Sequence, residues 1–300
     1  MKQIVIVSGK GGTGKTTVAA ALAHLASRSW SLVLADADVD AANLELLLSP
    51  RRQETHEFRS GEVASIDPAS CTGCGRCATA CRFGAVVRAQ THGAVQSYRV
   101  EPGACEGCAA CYYACAEGAI SLLERHSGQW YVSETRFGPL YHAHLFAGQE
   151  NSGKLVTRLR QEALARAAEG RADLIVIDGP PGIGCPVIAS VSGVDLALLV
   201  TEPSLSGIHD LGRILGTARH FRVPSAVVVN KADLNPARTQ EIVGFCASQG
   251  VPLLGAIPYD LEVIHAMTRG EPVTEKGSGP LMRALRALWQ GAEESLLGTP

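Results

Sequence analysis

Apolar positions along this chain gather into short, unbroken runs more often than they alternate. Ile4 to Val7, Leu32-Val33-Leu34-Ala35, Leu174-Ile175-Val176-Ile177, Leu196 to Thr201, Ala226 to Asn230 and Leu253 to Ile257 each read as a strand. Helical patterns separate them, among them an Ala-rich stretch from Val18 to Ala26, a short one over 41–48 and a longer one from Leu155 to Ala168. Strands alternating with helices predict an α/β fold built on a doubly wound, mostly parallel sheet. Phe137-Gly138-Pro139-Leu140 leads into an alternating stretch, Tyr141 to Phe146, expected as an edge strand because proline is tolerated there. Asn151 or Ser152 is expected to cap the helix that follows. Leu281, Met282, Leu285, Leu288 and Trp289 form one helical stripe with Arg283 and Arg286 opposite, a stripe expected to pack on the sheet. Glu293 and Glu294 follow it and would be repelled by anionic lipid, so a membrane role is not expected.

The connection after the first strand carries the chemistry. Gly9-x-x-x-x-Gly14-Lys15-Thr16 lies between a strand and a helix, the context a phosphate-binding loop requires. Gly11, Gly12 and Gly14 let backbone N–H groups from Gly11 to Thr17, Thr13 included, turn towards a polyphosphate at the helix N-terminus. Lys15 would reach the β- and γ-phosphates, and the Thr16 hydroxyl would ligate Mg²⁺. The second and third of these apolar runs end in acids, Asp36-Ala37-Asp38-Val39-Asp40 and Asp178-Gly179-Pro180-Pro181-Gly182. Ligands of open α/β sheets bind at such strand ends. Asp40 also suits a helix N-cap.

Between these acids the composition changes. Cys71-x-x-Cys74-x-x-Cys77-x-x-x-Cys81 is repeated 34 residues later (71 to 105, 81 to 115) as Cys105-x-x-Cys108-x-x-Cys111-x-x-x-Cys115, an internal duplication. Thiolates at these intervals suit iron–sulfur clusters or zinc, and zinc rarely needs two such interlocked runs. Ala85-Val86-Val87 and Ala119-Ile120 are expected as short strands. Of the remaining cysteines, Cys185 is expected to be a small buried thiol. His142 and His144 fall on one face of their strand, an arrangement more often structural than metal-binding.

These motifs resemble two families. A second lysine, Lys10, beside the phosphate loop is similar to the signature lysine of the MinD/ParA/Mrp class of ATPases, which reaches across a nucleotide-sandwich dimer. In that class the D-x-D element, here Asp36 and Asp38, places its second acid near the attacking water. Asp178-x-Pro-Pro-Gly182 resembles the class's Walker B and switch II element, with Asp178 near Mg²⁺ and Gly182 near the γ-phosphate. Asn230-Lys231-Ala232-Asp233 resembles the guanine-reading element of GTPases, whereas Lys10 resembles the adenine-nucleotide branch, where the Asn reads adenine; ATP is favoured. The cysteine spacing resembles bacterial two-cluster ferredoxins. That resemblance implies one [4Fe–4S] cluster on Cys71, Cys74, Cys77 and Cys115, and another on Cys105, Cys108, Cys111 and Cys81. Arg82 and Ala116 stand where the ferredoxin pattern has proline.

The implied organisation is an ATPase domain over 1–60 and 126–300, with a ferredoxin domain inserted over 61–125. Three hundred residues with 46% hydrophobic content support a sizeable core, and a net charge of −2 gives no reason to expect nucleic acid. No apolar run is long enough to span a membrane, and Met1-Lys2-Gln3 passes directly into a strand, so a cytoplasmic protein is expected. The resemblances imply ATP, Mg²⁺ and two [4Fe–4S] clusters as cofactors, a homodimer when ATP is bound, and a redox or metallocofactor-maturation partner. Among possible tasks, ATP-gated electron transfer ranks first. ATP-dependent cluster carriage, as in Mrp proteins, and MinD-like positioning follow.

Overall fold

A computed structural model describes residues 1–89, 97–148 and 152–298. The chain divides into two compact units, Met1–His56 with Gln129–His144 and Ser152–Pro300, and Glu57–Gly128 with Leu145–Asn151. In chain order, β1 (Lys2–Ser8) leads to α1 (Lys15–Ala26), and β2 (Leu32–Asp36) to the short α2 (Leu44–Leu48). Strand β3 (Arg51–Ile66) carries the chain from the first unit into the second. There α3 (Arg76–Ala80), β4 (Val86–Arg88), β5 (Tyr98–Val100) and α4 (Ala110–Ala114) follow, and β6 (Ile120–Thr135) returns. Next come β7 (Gly138–Leu145), α5 (Ser152–Gly170), β8 (Leu174–Pro181), α6 (Cys185–Val191), β9 (Leu196–Thr201), α7 (Leu205–His220), β10 (Ser225–Asn230), α8 (Pro236–Gln249) and β11 (Leu253–Ile257). Helices α9 (Glu262–Thr268), α10 (Val273–Lys276) and α11 (Gly279–Leu297) complete the described elements.

The main sheet runs β11-β10-β9-β1-β8-β2-β7-β6-β3. From β11 to β7 every pairing is parallel. Parallel strands need helical crossovers, and helices on both faces bury the strands completely. Ile4 to Val7 and Ala226 to Val229 are accordingly fully buried, which is why they read as unbroken apolar runs. Strand β1 has β8 and then β2 on one side and β9 on the other, so the chain reverses direction around it. A cleft outside the carboxyl ends of these strands is the expected ligand position. The register sets Asp36 of β2 directly opposite Asp178 of β8 at that edge.

Helix α1 lays its alanine face on the sheet beside α11, whose Leu281, Leu285, Leu288 and Leu296 join the same core. The C-terminal stripe is therefore spent on packing. Trp30 packs edge-on against Trp289 at 6.4 Å and donates its indole N–H to Glu293 at 2.6 Å. Among the described residues no helix is long and apolar enough to cross a membrane.

Several expectations are corrected. Strand β7 is interior, between β2 and β6, because a two-residue link (Arg136-Phe137) folds β6 back beside it. Ala119-Ile120 opens no short strand; Ile120 begins the 16-residue β6. Asp40 does not cap the helix after β2. Helix α2 starts at Leu44, and its first N–H is taken by the Asp36 carboxylate at 3.0 Å. Ser152 is the first residue of α5, while the alternative cap Asn151 lies outside the described residues. Cys185 is exposed at the start of α6, and Cys246 is the buried thiol.

In the second unit the duplication is visible in the backbone. Gly73 and Gly107 (φ 73° and 62°), Gly75 and Ala109 (77° and 61°), and Gly84 and Gly118 (64° and 64°) repeat one left-handed pattern at equivalent positions. Strands β4 and β5 pair antiparallel, and Cys77, Cys105 and Cys111 are buried with Ala64, Ala85, Val86 and Ile120 in a small core.

Candidate functional site

The loop between β1 and α1 is shaped by its glycines. Gly12 (φ 78°) and Gly14 (φ 92°) adopt the left-handed conformation that disfavours a side chain. A Cβ at Gly14 would also run into the Asn230 amide, and one at Gly9 into the backbone of Asp210 on α7. Asn230 uses that space to donate from Nδ2 to the Thr13 carbonyl at 2.8 Å, while its Oδ1 accepts the Lys231 N–H at 3.0 Å. Lys231 Nζ donates to the Gly12 carbonyl at 3.0 Å. The end of β10 thus braces the loop from outside.

An open cleft is lined by Gly11, Gly12, Gly14, Lys15, Thr16, Thr17, Asp38 and the Pro180-Pro181 pair. Lys15 Nζ lies 4.0 Å from Asp38 Oδ2, both side chains largely buried. Asp36 does not line this cleft. Its Oδ1 accepts the Asp38 N–H at 3.1 Å and its Oδ2 that of Leu44, so it fixes the turn that presents Asp38. Burial, then the neighbouring Asp178, pushes the Asp36 carboxyl well above the usual range, and the two backbone N–H bonds oppose this.

Asp178 is fully buried and neither of its oxygens has a hydrogen-bond partner. Burial pushes it up to about 7; the Thr16 hydroxyl and Lys15 hold it down, and Asp38 adds to the rise. The Thr16 hydroxyl faces it closely enough to favour its charged form. The Thr13 hydroxyl is likewise buried without a partner. Two orphaned carboxylate oxygens beside a hydroxyl at a phosphate loop fit a hydrated Mg²⁺, because burying a carboxylate unpaired is costly. Gly182 (φ 94°) does not line the cleft; its N–H donates to the Ser8 carbonyl at 2.9 Å.

Beside the cleft, Thr17, Asn230, Ile257, Pro258, Tyr259 and Leu285 line a mainly apolar cavity suited to a base. Asp233 does not line it, and Asp233 Oδ1 accepts the Tyr259 N–H at 2.6 Å.

Lys10 is held within its own chain. Its ammonium lies 2.6 Å from Glu202 and donates to Ser206 at 2.8 Å and Ser204 at 3.1 Å. Glu202 also pairs with Lys231 at 3.2 Å. Partial burial works against its charge, yet the two lysines hold the Glu202 carboxyl below the usual range. Sequence reasoning missed Glu202, although an acid just past the end of β9, next to β1, satisfies the strand-end rule that singled out Asp36 and Asp178.

The eight paired cysteines are free thiols around two separate cavities of the second unit. Cys71, Cys74, Cys77 and Cys115 line one. Cys81, Cys105, Cys108 and Cys111 line the other. Each cavity takes three sulfurs from one run and the fourth from the other. Burial raises the Cys77 and Cys111 thiols. At Cys81 a desolvation cost is outweighed by the backbone N–H groups of Phe83, Ala85, Val86 and Gly84, which hold the thiol below its usual range. Four soft donors around one small cavity fit an iron–sulfur cluster, and N–H groups aimed at a sulfur would tune such a group.

The CbiA family, the CobQ/CobB/MinD/ParA nucleotide binding domain, matches residues 4–273. An uncharacterized protein of Methanocaldococcus jannaschii is 37% identical over 78% of this chain and 79% of its own length. An iron–sulfur cluster carrier protein of Pyrococcus abyssi is 25% identical over 94% of this chain and 82% of its own. Among solved structures, the septum site-determining protein MinD of Pyrococcus horikoshii, complexed with Mg-ADP, superposes with a TM-score of 0.61 at 20% identity, covering 99% of this chain and 97% of that one. The family model spans most of a chain whose glycine loop follows the central strand of a parallel sheet, and the chain belongs to the CobQ/CobB/MinD/ParA family of nucleotide-binding P-loop proteins.

Proposed function

We propose that this protein is a Mg²⁺-dependent ATPase that couples a nucleotide switch to electron transfer through two [4Fe–4S] clusters, serving maturation of a metallocofactor or an iron–sulfur protein. The observation that carries the reading is the crossed lining of the two cysteine cavities, because eight fixed thiolates suit permanent centres. When bound, the clusters would supply one-electron carriage. Lys15 would hold the β- and γ-phosphates, and Thr16 and Asp178 the Mg²⁺. Asp38, presented by Asp36, would position the attacking water. Lys10 would exchange Glu202 and the two serines for the phosphates of a second copy, forming the ATP-bound dimer. Adenine is favoured over guanine because Asp233, which a guanine would need, stands off the base cavity with one oxygen occupied. The electron partner would be a redox protein or a maturation client.

The second reading, ATP-dependent cluster carriage, draws on the Pyrococcus abyssi relative and on exposed Cys185, which lies just beyond Gly182. One experiment separates the two. Protein purified without oxygen should hold about eight iron and eight sulfide per chain, and ATP should change the rate at which its reduced centres are re-oxidised by an electron acceptor. Iron well below that, or zinc in its place, contradicts electron transfer. Transfer of iron and sulfide to an apo-protein on addition of ATP supports carriage instead.

A further inference from the structure

Three side chains outside the nucleotide cleft converge within the first unit. Glu45 stands in the first turn of α2, and His142 and His144 alternate along β7 and so share one face. Glu45 Oε2 lies 3.1 Å from His142 Nδ1, and Oε1 lies 3.3 Å from His144 Nε2. One ligand atom from each of the three residues can be chosen so that all lie within 4.8 Å of one another. Ligands of a tetrahedral metal at ~2.0–2.1 Å stand roughly 3.3 Å apart, so each imidazole already lies at that spacing from one oxygen of the Glu45 carboxylate, and small side-chain rotations would bring one donor set together.

His142 gives the cluster its direction. The residue is only 1% exposed, and Nε2 lies 2.8 Å from the Ser133 hydroxyl. Its Nδ1, facing Glu45, has no hydrogen-bond partner, since the nearby carboxylate oxygen lies outside hydrogen-bond geometry. A buried ring nitrogen that makes no aligned hydrogen bond to the carboxylate beside it is left poorly satisfied, and a cation shared by the two would satisfy both. Tyr131 packs against both imidazoles, at 5.1 Å and 5.8 Å, and limits their rotation. With Nδ1 on a metal, the Nε2–H of His142 would donate to the Ser133 hydroxyl, an outer partner that fixes the ring as such partners do for metal ligands.

We infer that Glu45, His142 and His144 form a binding site for one divalent transition-metal ion, with a fourth position open to water. Two imidazoles and one carboxylate suit Zn²⁺ or Fe²⁺ and disfavour Mg²⁺ and Ca²⁺, which prefer oxygen alone. Bound metal would clamp α2 to β7. The clamp lies one residue from the Leu44 N–H that Asp36 holds, so it would stiffen the segment that presents Asp38.

The test is zinc titration of the full-length protein against a chromophoric chelator, comparing wild type with Glu45→Gln and His144→Ala. Both replaced side chains are partly exposed and neither fills a core position, far-UV circular dichroism checks that each variant is folded, and zinc on the cysteines is common to all three proteins. The wild type should take up one more equivalent than either variant, with at least about 100-fold weaker binding at this site when a ligand is removed. Ser133→Ala keeps all three ligands and should weaken that equivalent by roughly 10–100-fold. Zinc should raise the Tm of the wild type more than that of Glu45→Gln or His144→Ala. Equal stoichiometry and affinity in wild type, Glu45→Gln and His144→Ala overturns the site, whatever the cysteines hold.

Discussion

Replacing Lys15 by alanine should cut nucleotide affinity by about 100-fold or more, whereas replacing Lys10 should cost less than about fivefold. The difference follows from where the two ammonium groups stand. Lys15 is 6% exposed inside the cleft and is the cation nearest the Asp38 carboxylate, with Asp178 also close. Removing it deletes the charge-assisted bonds to the phosphates, about 3 kcal/mol, and leaves carboxylates facing an anion. Lys10 is 27% exposed and already paired with Glu202, so leaving that partner for a phosphate exchanges one ion pair for another. If Lys10 serves a second copy's nucleotide, as proposed, it acts as charge develops on the transferred group, and Lys10→Ala should lower kcat on the order of 10²–10³-fold. Equilibrium binding of a fluorescent ATP analogue together with steady-state hydrolysis measures both quantities. Equal loss of affinity in the two variants would contradict the assignment of Lys10 to a second copy's nucleotide.

The second large effect is on the clusters. Cys81→Ser should damage the centre built on Cys105, Cys108 and Cys111 and spare the one built on Cys71, Cys74 and Cys77, although Cys81 belongs to the earlier run. Cys81 lines the later cavity, and Cys115 lines the earlier one. Iron per chain should fall from about eight towards about four. The residual EPR spectrum of Cys81→Ser should match that of Cys108→Ser and differ from that of Cys74→Ser, each comparison variant removing an exposed ligand of one cavity. A Cys81→Ser spectrum matching Cys74→Ser would reverse the ligation.

Much of the sheet was legible because strands covered on both faces leave an unmistakable mark. Ile4 to Val7 and Leu174 to Ile177 have no polar side to obscure them. Strands β3 and β6 left no such mark. Arg51 to Glu57 is almost wholly exposed, so its positions are polar on both faces and carry neither period. Pro139 makes β7 read as an edge, and nothing in its own residues says that β6 and β3 lie beyond it. The phosphate loop and the cysteine runs were readable because their spacing is local and their chemistry tolerates few alternatives. Glu202 beside Lys10 and Glu45 beside His142 were not, because each pair is brought together from distant parts of the chain. Asp36 shows a subtler limit. Its position at a strand end suggested contact with the nucleotide, while the structure uses it to hold the backbone of Asp38 and Leu44.

Coupling between nucleotide and clusters is the central claim, and chain connectivity motivates it. The turn presenting Asp38 leads through α2 into β3, the strand that carries the chain into the cysteine-bearing unit. Nucleotide can alter the clusters only if it binds one arrangement of the protein better than another. Linkage then obliges reduction of the clusters to change ATP affinity by the same factor by which ATP shifts the reduction equilibrium. The most direct test is a redox titration of the full-length protein with and without a non-hydrolysable ATP analogue, paired with analogue binding to the oxidised and reduced forms. The account predicts displaced midpoint potentials, about 60 mV for each tenfold difference in affinity in a one-electron step. Superimposable titrations with identical affinities in both redox states would contradict it.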